Sequence, residues 1–321
     1  MNGCARRWSR GAEANHDRRT PLQPVRWLAV AILLSGCFIG SPLRADPAAC
    51  GATGAVLVHP EVRGVYVDAV AQLVTGLERG GVDDLSVCTW ADFEAMTAPE
   101  RAARIFTLGD KVTAKLARIG DPATLIGLLV TRLRPGMPAG LSLFADPHPV
   151  IERIQVLQPA IRALHLVYLA DVPADAVARV RSAARQAGLA WETTAVASVR
   201  EAARAIERLK TDGDPTTAVW FHTGVLGLNP DVLIPPLVRI GWDRRLFVVA
   251  DDAAYVERGV LMSVSADLEA LGALAARAVT GGWSGLRDAA ALRWGVNRRT
   301  AAALGVDGRL RLRPVPDFVY E

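Results

Sequence analysis

The sequence predicts an α/β protein made of two doubly wound units. Short apolar runs alternate with helical patterns of ten or more residues along most of the chain. That rhythm belongs to parallel strands joined by right-handed crossovers. The 321 residues suffice for one large or two medium domains. Midway, Leu141 to Phe144 closes one run of alternation and Ala163 to Leu169 opens another, with Asp146-Pro147-His148-Pro149 following the first. Prolines spaced this closely continue neither a strand nor a helix interior. The stretch therefore reads as a hinge between two lobes, with a ligand cleft between them.

The elements follow in order. Ala55–His59 is a buried strand closed by Pro60. Val65, Ala69, Leu73 and Leu77 recur at helical spacing, and Gly80-Gly81 stops that helix. Leu85–Cys88 and Arg104–Leu108 are strands, and a helix with Val112, Leu116 and Ile119 on one face follows Gly109-Asp110. Leu125–Val130 and Leu141–Phe144 complete the first unit. In the second, strands at 163–169, 190–195, 218–221 and 246–250 alternate with helices at 175–187, 199–210 and 230–240. A strand at 259–265 and a helix at 267–279, capped by Asp267 and ended by Gly281-Gly282, come next. Leu292–Val296 and Arg298–Leu304 form a last strand and helix before a proline-bearing tail.

The net charge of +4 suggests a polyanion partner, but its location removes that reading. Residues 1–45 hold seven arginines against Glu13 and Asp17; taking these from 37 basic and 33 acidic residues leaves 30 against 31. The body has no electrostatic footprint for nucleic acid. Trp27 to Gly40 is an apolar run behind Arg18, Arg19 and Arg26, too short to span a bilayer, and reads as a signal-peptide core within a leader of residues 1–45. Two cleavage sites compete. Leu34-Ser35-Gly36-Cys37 would lipidate Cys37, and Leu43-Arg44-Ala45 would release a soluble chain. Either way the body is exported, to the periplasm or its membrane face. An oxidising compartment makes Cys50 and Cys88 a candidate disulfide. If Cys50 simply precedes its strand, the two ends lie roughly 17 Å apart, so the bridge requires residues 50–54 to double back.

In doubly wound sheets, ligands bind beyond the carboxyl ends of the strands. The ligand-facing candidates there are His59 and Glu61; Leu108, Gly109 and Asp110; Phe144 and Asp146; Tyr168; His222 and Thr223; and Asp251. Several have structural alternatives: Asp110 as a helix cap, one of Asp251-Asp252 as a cap, His165 and Trp220 as core. There is no glycine-rich dinucleotide turn, P-loop, nucleophile elbow or metal-ligand spacing, so no catalytic residue, metal or cofactor is assigned.

Six further stretches point to a family: Val56-Leu-Val-His-Pro-Glu61 with Tyr66; the Thr107-Leu108-Gly109 strand end; Gly140-Leu-Ser-Leu143; Arg162 to Tyr168; Arg258-Gly-Val-Leu-Met-Ser263 with Leu271 to Ala276; and, most specifically, Val296-Asn297 through Leu304-Gly305. Together they resemble the ABC-transporter substrate-binding proteins with a type I periplasmic-binding-protein fold, the group that includes tryptophan- and tyrosine-binding members. The resemblance implies two Rossmann-like lobes joined by a three-strand hinge. Lobe 1 would hold 46–145 plus 243–285, and lobe 2 would hold 146–242 plus 286–321. It implies a monomer that captures an amino acid or another small polar or aromatic solute and delivers it to an ABC permease. One departure stands out. Amino-acid binders of the family tend to carry an acid in the loop after the strand matching 218–221, whereas this chain has His222-Thr223-Gly224-Val225. The charge would then come from Asp251, Asp146 or Asp110. The rival readings are a sensor feeding a membrane receptor or kinase, a ligandless envelope scaffold, and an enzyme, for which only the unpaired candidates His59/Glu61 and His222/Asp251 are on offer.

Overall fold

A computed structural model describes residues 50, 54–95, 104–279, 281–313 and 315–321. The leader and the lipidation site expected at Cys37 lie outside the described residues. The chain begins β1 (Ala55–His59), α1 (Val65–Arg79), β2 (Leu85–Thr89), α2 (Trp90–Glu94), β3 (Arg104–Leu108), α3 (Gly109–Ile119), β4 (Leu125–Val130) and β5 (Ala139–Ala145). It continues with α4 (Pro147–Leu157), β6 (Ala163–Leu169), α5 (Ala174–Gln186), β7 (Ala190–Val196), α6 (Val199–Asp212), β8 (Thr217–Phe221), α7 (Pro230–Arg244) and β9 (Phe247–Ala250). It ends with α8 (Ala253–Glu257), β10 (Met262–Ala266), α9 (Leu268–Val279), β11 (Gly285–Ala289), β12 (Leu292–Asn297), α10 (Arg298–Leu304) and β13 (Phe318–Tyr320).

Two sheets result, in the orders β11-β5-β4-β3-β1-β2 and β13-β12-β10-β9-β8-β6-β7. Every strand pair is parallel except β10 with β12. Central strands such as β1 and β9 are buried along their whole length, which is why they read as unbroken apolar runs.

Strand pairing corrects the expected lobe boundaries. Residues 243–285 were expected in lobe 1, yet β9 and β10 hydrogen-bond within the second sheet. Of that segment, α9 sides with the first sheet. Gly76 and Gly272 let α1 and α9 meet backbone to backbone: a Cβ on Gly272 would lie 2.4 Å from the Leu73 carbonyl oxygen. Leu271 and Ala275 join Leu73 and Leu77 in one core, and Arg79 pairs with Glu269. β11 also pairs in the first sheet, although 286–321 was expected in lobe 2. The chain therefore crosses between sheets after β5, between β10 and α9, and between β11 and β12. Backbone bonds tie the crossings together, from the Asp146 amide to the Ala289 carbonyl (2.8 Å) and from the Asp267 amide to the Ala291 carbonyl (2.9 Å). Beside them Arg179 of α5 forks onto Asp288 of β11 with bonds of 2.6 and 2.9 Å, linking one lobe to the other.

Cys50 and Cys88 form a disulfide, with Cα atoms 5.8 Å apart. Cys88 is the ladder partner of Val58, so Cys50 stands level with the end of β1 rather than ahead of its start.

Candidate functional site

A cavity of about 570 Å³ opens between the two sheets beside the crossings. The first sheet and its helices contribute Gln72, Leu129, Leu143 and Leu268; the second lobe contributes Thr223, Asp251, Ser265, Arg293, Phe318 and Tyr320. A volume of this size suits a small molecule, and the lining mixes apolar surface with a few polar groups.

Thr223 and Asp251 are the two residues expected from strand ends that line this cavity. They are linked: Asp251 Oδ2 accepts the Gly224 amide at 2.8 Å, bracing the loop that carries Thr223. Asp251 Oδ1 is fully buried and, among the described residues, has no hydrogen-bond partner. Burial pushes this carboxyl up to about 6, against the opposing pull of the Gly224 amide and of its own backbone amide. Its neighbour Asp252 takes the capping role instead, accepting the Ala254 amide at 2.9 Å. Adjacent carboxylates thus divide, one holding α8 and the other facing inward.

His222 lies behind Thr223, 2% exposed, with its ring 4.8 Å from that of Phe144 and 5.6 Å from that of Trp220. Its Nδ1 is buried and, among the described residues, without a partner. Burial, with a smaller contribution from the Arg179 cation, pushes it down to about 4, so it is neutral near pH 7. His222 and Phe144 therefore form a buried contact between the hinge strand β5 and the second lobe. Tyr255 of α8 is pushed up to about 12, first by burial and then by Asp251, Asp252 and Tyr66. Tyr66 sits on α1 and is 67% exposed, whereas Tyr255 is buried.

The other expected residues fall elsewhere. Asp146 caps α4, accepting the His148 amide and ring Nδ1, each at 2.9 Å. Asp110 does not cap α3, whose N-cap position is Leu108; it accepts the Thr131 amide at 3.0 Å and braces the end of β4. Gly109 opens α3 at φ 77°. The His59 ring nitrogen lies 2.7 Å from its neighbour's carbonyl, and Glu61 is exposed beyond it. Tyr168 packs half-buried against the core of the second lobe. His165, on β6 between β8 and β7, bonds Thr194 of β7 at 2.9 Å.

Sequence reasoning missed Arg293, Phe318 and Tyr320. β12 runs antiparallel to β10, so its first residues, not its last, lie at the cleft end. A search restricted to carboxyl ends passes over them. The alternating aromatics of Phe318-Val319-Tyr320 were the available signal.

Among the described residues no group of three or more His, Cys, Asp or Glu could hold a metal ion, and no helix is long and apolar enough to cross a membrane.

No protein-family model matches the chain, and no curated protein matches it in sequence. Solved structures do match. An ABC domain in complex with L-Trp from Streptococcus pneumonia superposes with a TM-score of 0.54 at 16% identity, over 83% of this chain and 99% of that one. A ligand-free, open substrate-binding protein with adhesive properties from Clostridium difficile gives 0.59 at 16% identity, over 83% and 99%. A conserved domain protein from Vibrio cholerae gives 0.56 at 16% identity, over 84% and 100%. The chain has the two-lobed α/β fold of the type I periplasmic binding proteins.

Proposed function

We propose that this protein is an exported solute-binding protein that captures a small molecule in the interlobe cavity and hands it to an ABC permease. The cavity carries the proposal: its walls come from both lobes, beside three chain crossings. A ligand touching both walls binds a closed arrangement better than an open one, so binding drives closure. Asp251 supplies a buried acceptor for a ligand N–H or O–H, and Thr223 supplies a hydroxyl beside it. A donor on the ligand would satisfy the buried Asp251 Oδ1. The likeness to an L-Trp-bound domain and to a substrate-binding protein supports the binding role. A sensor would use the same cleft and a different membrane partner.

A thermal-shift screen of amino acids, sugars and small organic acids tests the binding role. At least one class should raise the melting temperature, and Thr223→Trp, which fills the cavity, should abolish the rise. Stabilisation that survives Thr223→Trp would place binding elsewhere. In-cell crosslinking of the lobe surfaces, recovering a permease or a kinase, separates transport from sensing.

A further inference from the structure

The cavity wall built by β10, β12 and β13 narrows the chemistry of the occupant. In the antiparallel ladder Ser265 stands opposite Arg293, and Ser263 opposite Gly295. In the parallel ladder Gly295 stands level with Phe318, and Asn297 with Tyr320. Paired residues share a face, and alternate residues along a strand return to it. One face therefore carries Ser265, Arg293, Phe318 and Tyr320, all of which line the cavity. Trp294 and Val296 point the other way, into the core.

Several contacts fix this wall. A Cβ on Gly295 would lie 1.7 Å from a ring carbon of Phe318, so the ring lies directly over bare backbone. Asp317 anchors the strand at both ends of one peptide neighbour: its Oδ2 accepts the Trp294 amide at 2.7 Å, and its amide donates to the Trp294 carbonyl at 2.9 Å. Tyr320 meets Phe318 edge-on, with centroids 5.7 Å apart. The C-terminal strand is thus held with its two rings level with Gly295 and Asn297, in the second half of β12.

Arg293 is the one basic side chain in the cavity lining, and it is exposed there. Among the described residues it has no hydrogen-bond or ion-pair partner. The acids close to it in sequence or on β13 are engaged: Asp288 with Arg179, Asp317 with the Trp294 amide, Glu321 with Arg298. Asp251, the one acid in the lining, accepts the Gly224 amide.

We infer that Arg293 and the C-terminal strand form an anion subsite of the cleft, and that the occupant is a small carboxylate on an apolar body. The carboxylate takes the paired N–H donors of the guanidinium, whose planar fork matches it. The apolar body lies on Phe318, and Ser265 offers a hydroxyl alongside. This inference rests on the reading of the cavity as the ligand site.

Matched probes test it. Benzoate, phenylacetate, 3-phenylpropionate and octanoate, each with its primary amide, are titrated calorimetrically into the wild-type protein, Arg293→Gln, Arg293→Lys and Thr223→Trp. At least one carboxylate should bind, with its amide weaker by about tenfold or more, the scale of losing a charged hydrogen-bond pair. Arg293→Gln should lose the same factor without changing the ligand-free melting curve, and Arg293→Lys should recover part of it. Amides that bind within about threefold of the acids, or full affinity in Arg293→Gln, would overturn the anion subsite. If those probes still failed to bind Thr223→Trp, the cleft reading would survive. Failure of all the probes, beside a neutral or cationic compound that Thr223→Trp excludes, would likewise overturn the anion subsite alone. Absence of any ligand across probes and screen would overturn both readings.

Discussion

Replacing Asp251 by Asn should stabilise the empty protein at neutral pH while weakening whatever binds in the cleft. The carboxyl rises from 3.8 to about 6 in the folded state, so the native protein holds this proton more tightly than the unfolded chain does. Its contribution is fully present below about pH 4 and is lost as pH rises through about 6. At roughly 1.4 kcal/mol per unit, the ionised form costs the native state about 3 kcal/mol at pH 7.5. Asn carries no charge, and its carbonyl can keep the Gly224 amide bond. Its amide N–H₂ would occupy the place of the unpartnered Oδ1, at a cost of about 1–2 kcal/mol. The net gain is about 1–2 kcal/mol at pH 7.5, a rise of roughly 2–4 °C per kcal/mol. At pH 4 the wild-type group is protonated, the gain vanishes, and only the orphaned amide remains. Melting curves of both proteins at pH 7.5 and pH 4 decide the matter. An Asn variant less stable by the same amount at both pH values would refute the reasoning, because the carboxylate would then have a compensating partner.

The other predictions concern the frame around the cavity. His222 is held at about 4 against an ordinary 6.5, so its neutral form contributes stability that is complete above pH 6.5 and lost as pH falls towards 4. His222→Leu should remove about 3 kcal/mol of that acid loss, and parallel denaturation profiles for the two proteins would count against it. The Cys50–Cys88 bridge spans 38 residues of sequence. Chain entropy values that at about 4 kcal/mol, so reductant should lower the melting temperature of the wild type and leave Cys50→Ala/Cys88→Ala unmoved. Asp146→Ala should cost about 1 kcal/mol as a lost helix cap and leave affinity within about twofold once folding is accounted for; a tenfold loss of affinity would restore Asp146 to the site. Asp288→Ala, which leaves Arg179 paired with Asp175 of its own helix alone, should broaden the distribution of lobe separations measured by double electron–electron resonance, and an unchanged distribution would show that the fork does not restrain the hinge.

The alternation of strands and helices was legible because central parallel strands are apolar on both faces and surface helices on one. Val56 to Val58 and Phe247 to Ala250 advertise themselves in this way. Which sheet a strand joins was not legible. β9 and β10 read the same in either lobe, and the assignment depends on crossings made by Asp146, Asp267 and the 289–292 link, which are contacts distant in sequence. The placement of α9 rests on Gly76 and Gly272 meeting across more than half the chain, and neither glycine signals its partner. β11 and β13 are short and partly exposed, with too little apolar pattern to stand out.

The site divides along similar lines. Asp251 and Thr223 follow from topology alone, since strand ends in parallel sheets converge on the cleft. His222 and Phe144 were found by the same rule, yet the structure packs their rings against each other at a tilt, outside the cavity lining. The rule locates backbone and leaves side-chain direction open. Asp110 and Asp146 show the same limit, each with its carboxylate turned onto a neighbouring amide. Arg293 escaped because β12, antiparallel to β10, turns its first residues rather than its last toward the cavity.

Native mass spectrometry of protein freshly isolated from the envelope of an expressing bacterium tests the central claim most directly. A cavity that captures a solute should retain one, visible as a discrete small-molecule mass excess that disappears on denaturation and is missing from Thr223→Trp. The same excess in Thr223→Trp, or a bare polypeptide mass from cells grown with compounds that stabilise the protein, would contradict the account.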